Sequence, residues 1–293
     1  MRLLQLETVL VADDLTATSE SALRTAAVLR DGSGASLHVV HVAPGGADIA
    51  ARSGIRAEFL QSFAENAARA RVGTEYTPHV LSGSVTDAIG TLADGISADV
   101  IITGRRGRGA VPTDRPLGGT AFSIITSSLV PCLAVSEPMT IPLKRVLVAI
   151  DYSEASRGAL LVGLSWASAL RVRDGGNPLL TALHVHSDDG SSDRARWKRE
   201  VDHELDILRR AAGDWAGVEV SGMMITADDV VSAITQQAAS QDAELLVLGT
   251  RGRNPQKDAL GSVSAAMLGR VQAPVLLVPP AVWRDYARDM DYL

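Results

Sequence analysis

VLVAIDYSEASRGAL, Val146–Leu160, decides the fold, because the chain contains a near copy of it: VLVADDLTATSESAL, Val9–Leu23. Val146 lies 137 positions after Val9, and at that offset Asp151 falls on Asp14, Ser153 on Thr16, Ser156 on Ser19 and Ala159-Leu160 on Ala22-Leu23. Each copy opens with an apolar run lacking polar alternation, the pattern of a parallel strand buried on both faces. Leu160, Gly163, Leu164 and Ala167 then keep the i, i+3, i+4, i+7 spacing of a helix with one apolar stripe.

Outward from this pair the duplication continues. ASLHVVHV and LLTALHV end in the same dipeptide, His41-Val42 and His184-Val185. ADVIITGRRG lies over AELLVLGTRG, setting Gly104 on Gly249 and Gly107 on Gly252, and LGGTAFSIITSSLVPCLAV lies over LGSVSAAMLGRVQAPVLLV, setting Gly118 on Gly261 and Pro131 on Pro274. Each half reads strand, helix, strand, helix, short strand, helix, strand, glycine loop, helix, strand. That order predicts an α/β fold of two tandem, doubly wound, five-stranded parallel-sheet domains, with ligands beyond the carboxyl ends of the strands. The expected domains are residues 1–140 and 141–293, joined by the proline-bearing linker SEPMTIPLK, Ser136–Lys144. CLAVS and VLLVPP would be edge strands. An apolar edge is a liability that pairing removes, so the halves are expected to be related by a pseudo-twofold axis. The C-terminal helical tail, WRDYARDMDYL, is amphipathic enough to dock on the body or to meet a partner.

The 293 residues carry a net charge of −6, split evenly: 11 basic and 14 acidic residues in 1–140, 17 and 20 in 141–293. Neither half is a basic platform for nucleic acid. No apolar run reaches transmembrane length and MRLLQLETVLVADD lacks the pattern of a secretory leader, so a cytoplasmic protein without a membrane partner is expected. One cysteine, Cys132, excludes an intrachain disulfide and a cysteine zinc cluster, and its place in an apolar strand marks a buried thiol. His41 and His184 stand in no cluster with metal-ligand spacing and read as core or strand-end residues.

The segment GRRGRGAVPTDRPLGGT, Gly104–Thr120, crowds glycine and arginine before a helix, where backbone N–H groups and positive charge favour an anion. A strand ending in aspartate, a small hydroxyl residue, Gly-x-x-Gly and a later Leu-Gly-Ser before a strand opened by proline together resemble the universal stress protein family, over nearly the whole chain and twice. The resemblance implies a Rossmann-like sheet of the adenine nucleotide alpha hydrolase type that binds ATP, alone or with Mg2+. It also implies the roles of its parts: the aspartate holds the adenine or ribose side, the valine packs on the base, and the glycine loop wraps the phosphates. Carried over by position, the first site is Ala12, Asp14, Val42, Gly104, Gly107, Gly118, Gly119 and Thr120; the second is Ala149, Asp151, Val185, Gly249, Gly252, Gly261, Ser262 and Val263. Arg105, Arg106 and Arg108, or Arg251 and Arg253, would stand beside the phosphates. Gly104 and Gly249 would leave room for the planar base. Asp14 and Asp151 have an alternative role as helix caps, although Thr16 and Ser153 are placed to cap instead.

Neither half keeps the family spacing Gly-x2-Gly-x9-Gly-Ser/Thr. Ten residues separate Gly107 from Gly118, with Gly119 where a hydroxyl residue belongs; a shifted reading, Gly109-x9-Gly119-Thr120, loses the first glycine pair. Eight residues, including Pro255, separate Gly252 from Gly261-Ser262. No Gly-x-Ser-x-Gly or GxxxxGK[ST] motif and no nucleophile–base–acid set occurs, so a dedicated enzyme is not expected and hydrolysis of ATP would at most be slow. The leading expectation is a tandem universal stress protein that binds adenine nucleotide as a sensor or regulatory module in the stress response. A nucleotide-free interaction scaffold and a weak ATPase are the alternatives. A homodimer and protein partners of unspecified kind complete the expectations.

Overall fold

The computed structural model describes residues 4–43, 53–105, 117–171, 175–186, 199, 201–203, 205–206, 217–252 and 260–289. The chain divides into two compact units, Leu6–Thr140 and Ile141–Leu293, the latter joined by Met1–Gln5.

In the first unit, β1 (Thr8–Ala12), β2 (Ser36–Ala43), β3 (Thr77–Ser82), β4 (Val100–Gly104) and β5 (Cys132–Val135) alternate with α1 (Glu20–Ser33), α2 (Ser53–Ala70), α3 (Val85–Gly95) and α4 (Gly119–Ser127). All pairings are parallel and the order is β3-β2-β1-β4-β5. The second unit repeats the plan. Its strands β6 (Arg145–Ala149), β7 (Leu179–His186), β8 (Glu219–Thr226), β9 (Leu245–Gly249) and β10 (Val275–Val278) lie parallel in the order β8-β7-β6-β9-β10. Its helices include α5 (Glu154–Ala169), α6 (Val230–Ser240), α7 (Ser262–Arg270) and α8 (Pro280–Asp289). The chain reverses direction across the sheet at β1/β4 and β6/β9, opening the crevice where doubly wound folds bind ligands.

The apolar strands form the cores because both faces are covered. Val9, Leu10, Val11, Leu147, Val148, Leu245, Leu246 and Val247 are inaccessible to solvent. Cys132 is buried too, and burial pushes its thiol up to about 12, against a weaker opposing hydrogen bond from Ser128.

Two features go beyond the sequence expectations. Helix α5 has more than one apolar stripe: Ala159, Leu161, Val162 and Trp166 are buried as well as Leu160, Leu164 and Ala167. Helix α8 packs on it, as do the strands of the second unit, so the tail through Asp289 docks on the body. At Gly158 an added Cβ would lie 3.3 Å from Val278 Cγ1 of β10 and 3.4 Å from the Trp283 nitrogen of α8. Arg284 pairs with Glu154 at 2.7 Å, and the Arg157 guanidinium stands 5.9 Å over the Trp283 ring. The linker, in turn, is anchored by its apolar residues. Met139 is buried and its N–H donates to Thr25 Oγ1 at 3.0 Å, while Leu143 is buried and its N–H donates to the Leu170 carbonyl at 2.8 Å.

Candidate functional site

Strand β6 ends at Ala149, and the next residues form a tight turn into α5. Ile150 N–H still donates to the Leu183 carbonyl at 2.8 Å, continuing the strand by one bond. Asp151 follows, and Tyr152 takes a left-handed φ of 65°, as Leu15 does at 60° in the first half. That conformation is costly for a bulky residue, and its recurrence shows that the turn is built the same way twice. Ser153 caps α5 by accepting from Ser156 N–H at 3.2 Å. Asp151 is therefore not the cap. Its Oδ1 accepts from Ser153 N–H at 3.0 Å and Ser153 Oγ–H at 2.6 Å, and so fixes the capping residue.

The glycine loop meets this turn. An added Cβ on Gly252 would stand 2.8 Å from Asp151 Oδ2, and Ser153 Oγ lies 3.4 Å from the Arg251 carbonyl. The loop is closed at its far end by Gly261 N–H to the Thr250 carbonyl, 2.8 Å, and Ser264 Oγ–H ties the first turn of α7 to the Gly249 carbonyl at 2.7 Å. Gly261 is the N-cap of α7 and supplies no side chain to cap it. The first-turn N–H groups of that helix, which lack intrahelical partners, are left as an anion-favouring end.

Between these parts lies a cavity of about 360 Å³. Ala149, Asp151, Val185, Gly249, Arg251, Gly252, Gly261, Ser262 and Val263, nine positions singled out in the second half, all line it. Arg253 lies outside the described residues, as does Pro255. Ile150, Ser156, Leu183, Val230, Ile234, Leu248 and Ser264 line it too and were not singled out. Of these, Val230 and Ile234 belong to α6, whose approach to the strand ends is a property of the fold, with no motif to mark it. The lining combines apolar side chains with Asp151, Arg251, three serines and a helix N-terminus. A mostly apolar cleft with a few placed polar groups is the usual form of a small-molecule site. Among its described lining residues there is no His, Cys or Lys to act with Asp151, and among the described residues no group of three or more His, Cys, Asp or Glu could hold a metal ion.

The reason expected for Gly249 is different in the structure. Its missing Cβ would point into α5, 2.7 Å from Ala155 Cβ and 3.0 Å from Ser156 N, so close helix–strand packing demands the glycine and the base need not.

In the first half, Ala12, Asp14, Val42 and Gly104 occupy the same strand ends, all half-buried. Gly118 is the N-cap of α4 and its N–H donates to the Arg105 carbonyl at 2.9 Å, matching Gly261 and its bond to Thr250. Gly119 thus holds the place of Ser262, and Thr120 that of Val263, which rules out the shifted reading. Gly107, Arg106 and Arg108 lie outside the described residues. Arg105 is buried, 5% exposed, and burial pushes its pKa down to about 10. Asp14 is enclosed by hydroxyls. Its Oδ1 accepts from Thr16 Oγ1 and Ser19 Oγ, both at 2.6 Å, and its Oδ2 from Thr18 Oγ1 at 2.9 Å. Burial raises the Asp14 carboxyl, but the hydrogen bonds from Ser19, Thr16 and Thr18 outweigh it and hold the group below the ordinary aspartate value. Both histidines at the ends of the second strands are strand-end residues: His41 Nδ1 lies 2.9 Å from the Asp13 carbonyl and His184 Nδ1 2.9 Å from the Ile150 carbonyl.

The family model described as "Universal stress protein family" matches residues 5–136 and again 142–279. Universal stress protein G of Salmonella typhimurium is 30% identical over 128 residues, 40% of this chain and 88% of that protein. Among solved structures, a universal stress protein from Archaeoglobus fulgidus covers 94% of this chain with all of its own length, at a TM-score of 0.69 and 20% identity. A functionally unknown protein from Pseudomonas aeruginosa PAO1 covers 98% of both chains at a TM-score of 0.61 and 15% identity. At those identities the two structures bear on the fold alone.

Proposed function

Since the chain belongs to the universal stress protein family, which it matches twice, we propose that its second half binds an adenine nucleotide, ATP first among them, and that occupancy serves a regulatory role in the stress response. The observation that carries this reading is the convergence on one cavity of the strand-end aspartate, the strand-end valine, the glycine loop and the uncapped start of α7. An apolar wall made by Ile150, Val185, Val230 and Ile234 suits a purine, and the N-terminus of α7 with Ser262 and Arg251 suits phosphates. Asp151, already oriented by Ser153, is the acceptor for a sugar or base donor. Mg2+ would arrive with the phosphates, which supply most of its oxygen ligands in sites of this kind.

Binding rather than turnover is the proposed activity. Among the described residues lining the cavity, none is placed as a general base beside a second reacting group, and hydrolysis would on this reading be slow. The buried Cys132 fits a reducing, cytoplasmic setting.

The test is identification of nucleotide released from the purified protein by mass spectrometry, followed by calorimetric titration of ATP. Adenine nucleotide is expected. Asp151→Ala should weaken ATP binding roughly 10- to 100-fold, the equivalent of one hydrogen bond to a charged group at about 1.5–3 kcal/mol. No released nucleotide and no heat with millimolar ATP would leave the interaction scaffold as the better reading.

A further inference from the structure

The two halves differ where they are built most alike. Asp13 is the positional counterpart of Ile150. Asp13 N–H donates to the Val40 carbonyl at 2.9 Å as Ile150 N–H donates to Leu183, and the Asp13 carbonyl faces His41 as the Ile150 carbonyl faces His184. The two backbones are therefore equivalent at this position. In the second half the residue there is an isoleucine that lines the cavity; in the first it is an aspartate, 3% exposed.

The carboxylate is built in. Its Oδ1 accepts from Leu15 N–H at 2.8 Å and from Asn66 Nδ2 at 2.9 Å, and Asn66, itself 3% exposed, reaches it from α2. Asn66 Oδ1 in turn accepts from Arg69. Inserting a ligand here would part a buried carboxylate from its amide and leave both polar groups unsatisfied. A second difference lies two residues beyond the turn. Thr18 Oγ1 donates to Asp14 Oδ2 at 2.9 Å, whereas the second half has Ala155 at the position of Thr18.

We infer that Asp13, held by Asn66, and Thr18, bonded to Asp14, are specificity-determining residues that make the first half reject the adenine nucleotide taken by the second, so that one chain binds one nucleotide. This rests on the reading of the second-half cavity given above. Three effects act together: a purine loses its apolar wall, an anionic ligand meets a buried acceptor-only group beside a second carboxylate, and the aspartate that would hold the ligand has its outer oxygen bonded to Thr18. Burial raises the Asp13 carboxyl, a mark of how poorly its charge is solvated there.

The experiment is calorimetric titration of ATP into the full chain. The wild type should bind one ATP, Gly252→Asp should weaken that binding at least tenfold, and the double variant D13I/T18A should bind two. The second-half site remains in D13I/T18A as an internal control of folding. Photolabelling of the wild type with 8-azido-ATP, which needs no variant, should mark peptides of 141–293 and none of 6–140. Two ATP per wild-type chain, label in 6–140, or a D13I/T18A protein that keeps its second-half site yet still binds only one ATP would overturn the inference and leave the proposed function standing. No binding by the wild type would overturn both.

Discussion

Two glycines at one cavity are there for different reasons. Gly249 has no room for a Cβ, because the backbone of α5 at Ala155 and Ser156 stands 2.9–3.0 Å from where it would be. Gly261 has ordinary clearance, with its nearest neighbour, the Thr250 carbonyl oxygen, at 3.6 Å. Gly249→Ala is therefore expected to destabilise the protein by roughly 2 kcal/mol through overpacking. Gly261→Ala should change stability by less than about 0.5 kcal/mol while weakening ATP binding, since its methyl group would stand 3.7 Å from the Gly252 nitrogen, between residues that line the cavity. Urea unfolding of the two variants beside ATP titration separates the cases. Equal loss of stability in both would show that packing alone selects glycine at the loop. Acid sensitivity is also argued at this scale. The Asp14 carboxyl lies below its ordinary value, so its network stabilises the fold above pH 3.8 and the contribution is lost as pH falls through the depressed value.

At the scale of elements, β2 and β3 carry a feature with no counterpart among the described residues of the second half. His38 and His79 stack with ring centroids 5.2 Å apart, and His38 Nδ1 lies 2.9 Å from His79 Nε2, a bond that needs one unprotonated nitrogen. Burial lowers both pKa values from 6.5, with the His38 charge adding to the effect on His79. Depressed histidines favour the neutral fold. Their contribution is present above pH 6.5 and is lost as pH falls through the folded values. The melting temperature of the wild type should therefore fall between pH 7 and pH 5 more steeply than that of His38→Thr, which places a threonine where β7 has Thr181; parallel profiles would refute this. Helix α8 offers a second test. Tyr286 is 9% exposed where the helix docks on α5, so Tyr286→Ala should cost roughly 3 kcal/mol in urea unfolding. Arg284→Ala, which removes only an exposed ion pair, should cost less than about 1 kcal/mol.

In the whole molecule, each of the two units lays five parallel strands in the same order around its own core, yet by the inference above only the second takes the ligand. ATP at about 100 times its dissociation constant stabilises the state that binds it by about 2.7 kcal/mol. For a unit of this size that corresponds to a rise in melting temperature of roughly 5–10 °C. Amide hydrogen exchange should locate the gain: slower exchange in β9, in α7 and at the start of α5, and no change in the matching β4, α4 and α1. Slowing of equal size in both sets would contradict the asymmetry.

The duplicated plan was readable from the amino-acid sequence because the information is local. A strand buried on both faces must be apolar throughout, as Val146–Val148 and Leu245–Leu248 are, and a strand that ends at a ligand crevice is followed by a turn, marked here by Asp151 and by Gly249. Nine residues of the second-half cavity are ones that the family resemblance assigns by position. Long-range contacts leave no such mark. Only the tertiary structure brings Val230 and Ile234 to the cavity from α6, lays α8 over Gly158, turns the missing Cβ of Gly249 toward α5 and sets Asn66 against Asp13 across 53 positions of sequence. An aspartate beside an aspartate reads as one more acidic residue along the chain. Its effect on the site depends on which neighbours desolvate it and which donors reach it, and packing alone decides both.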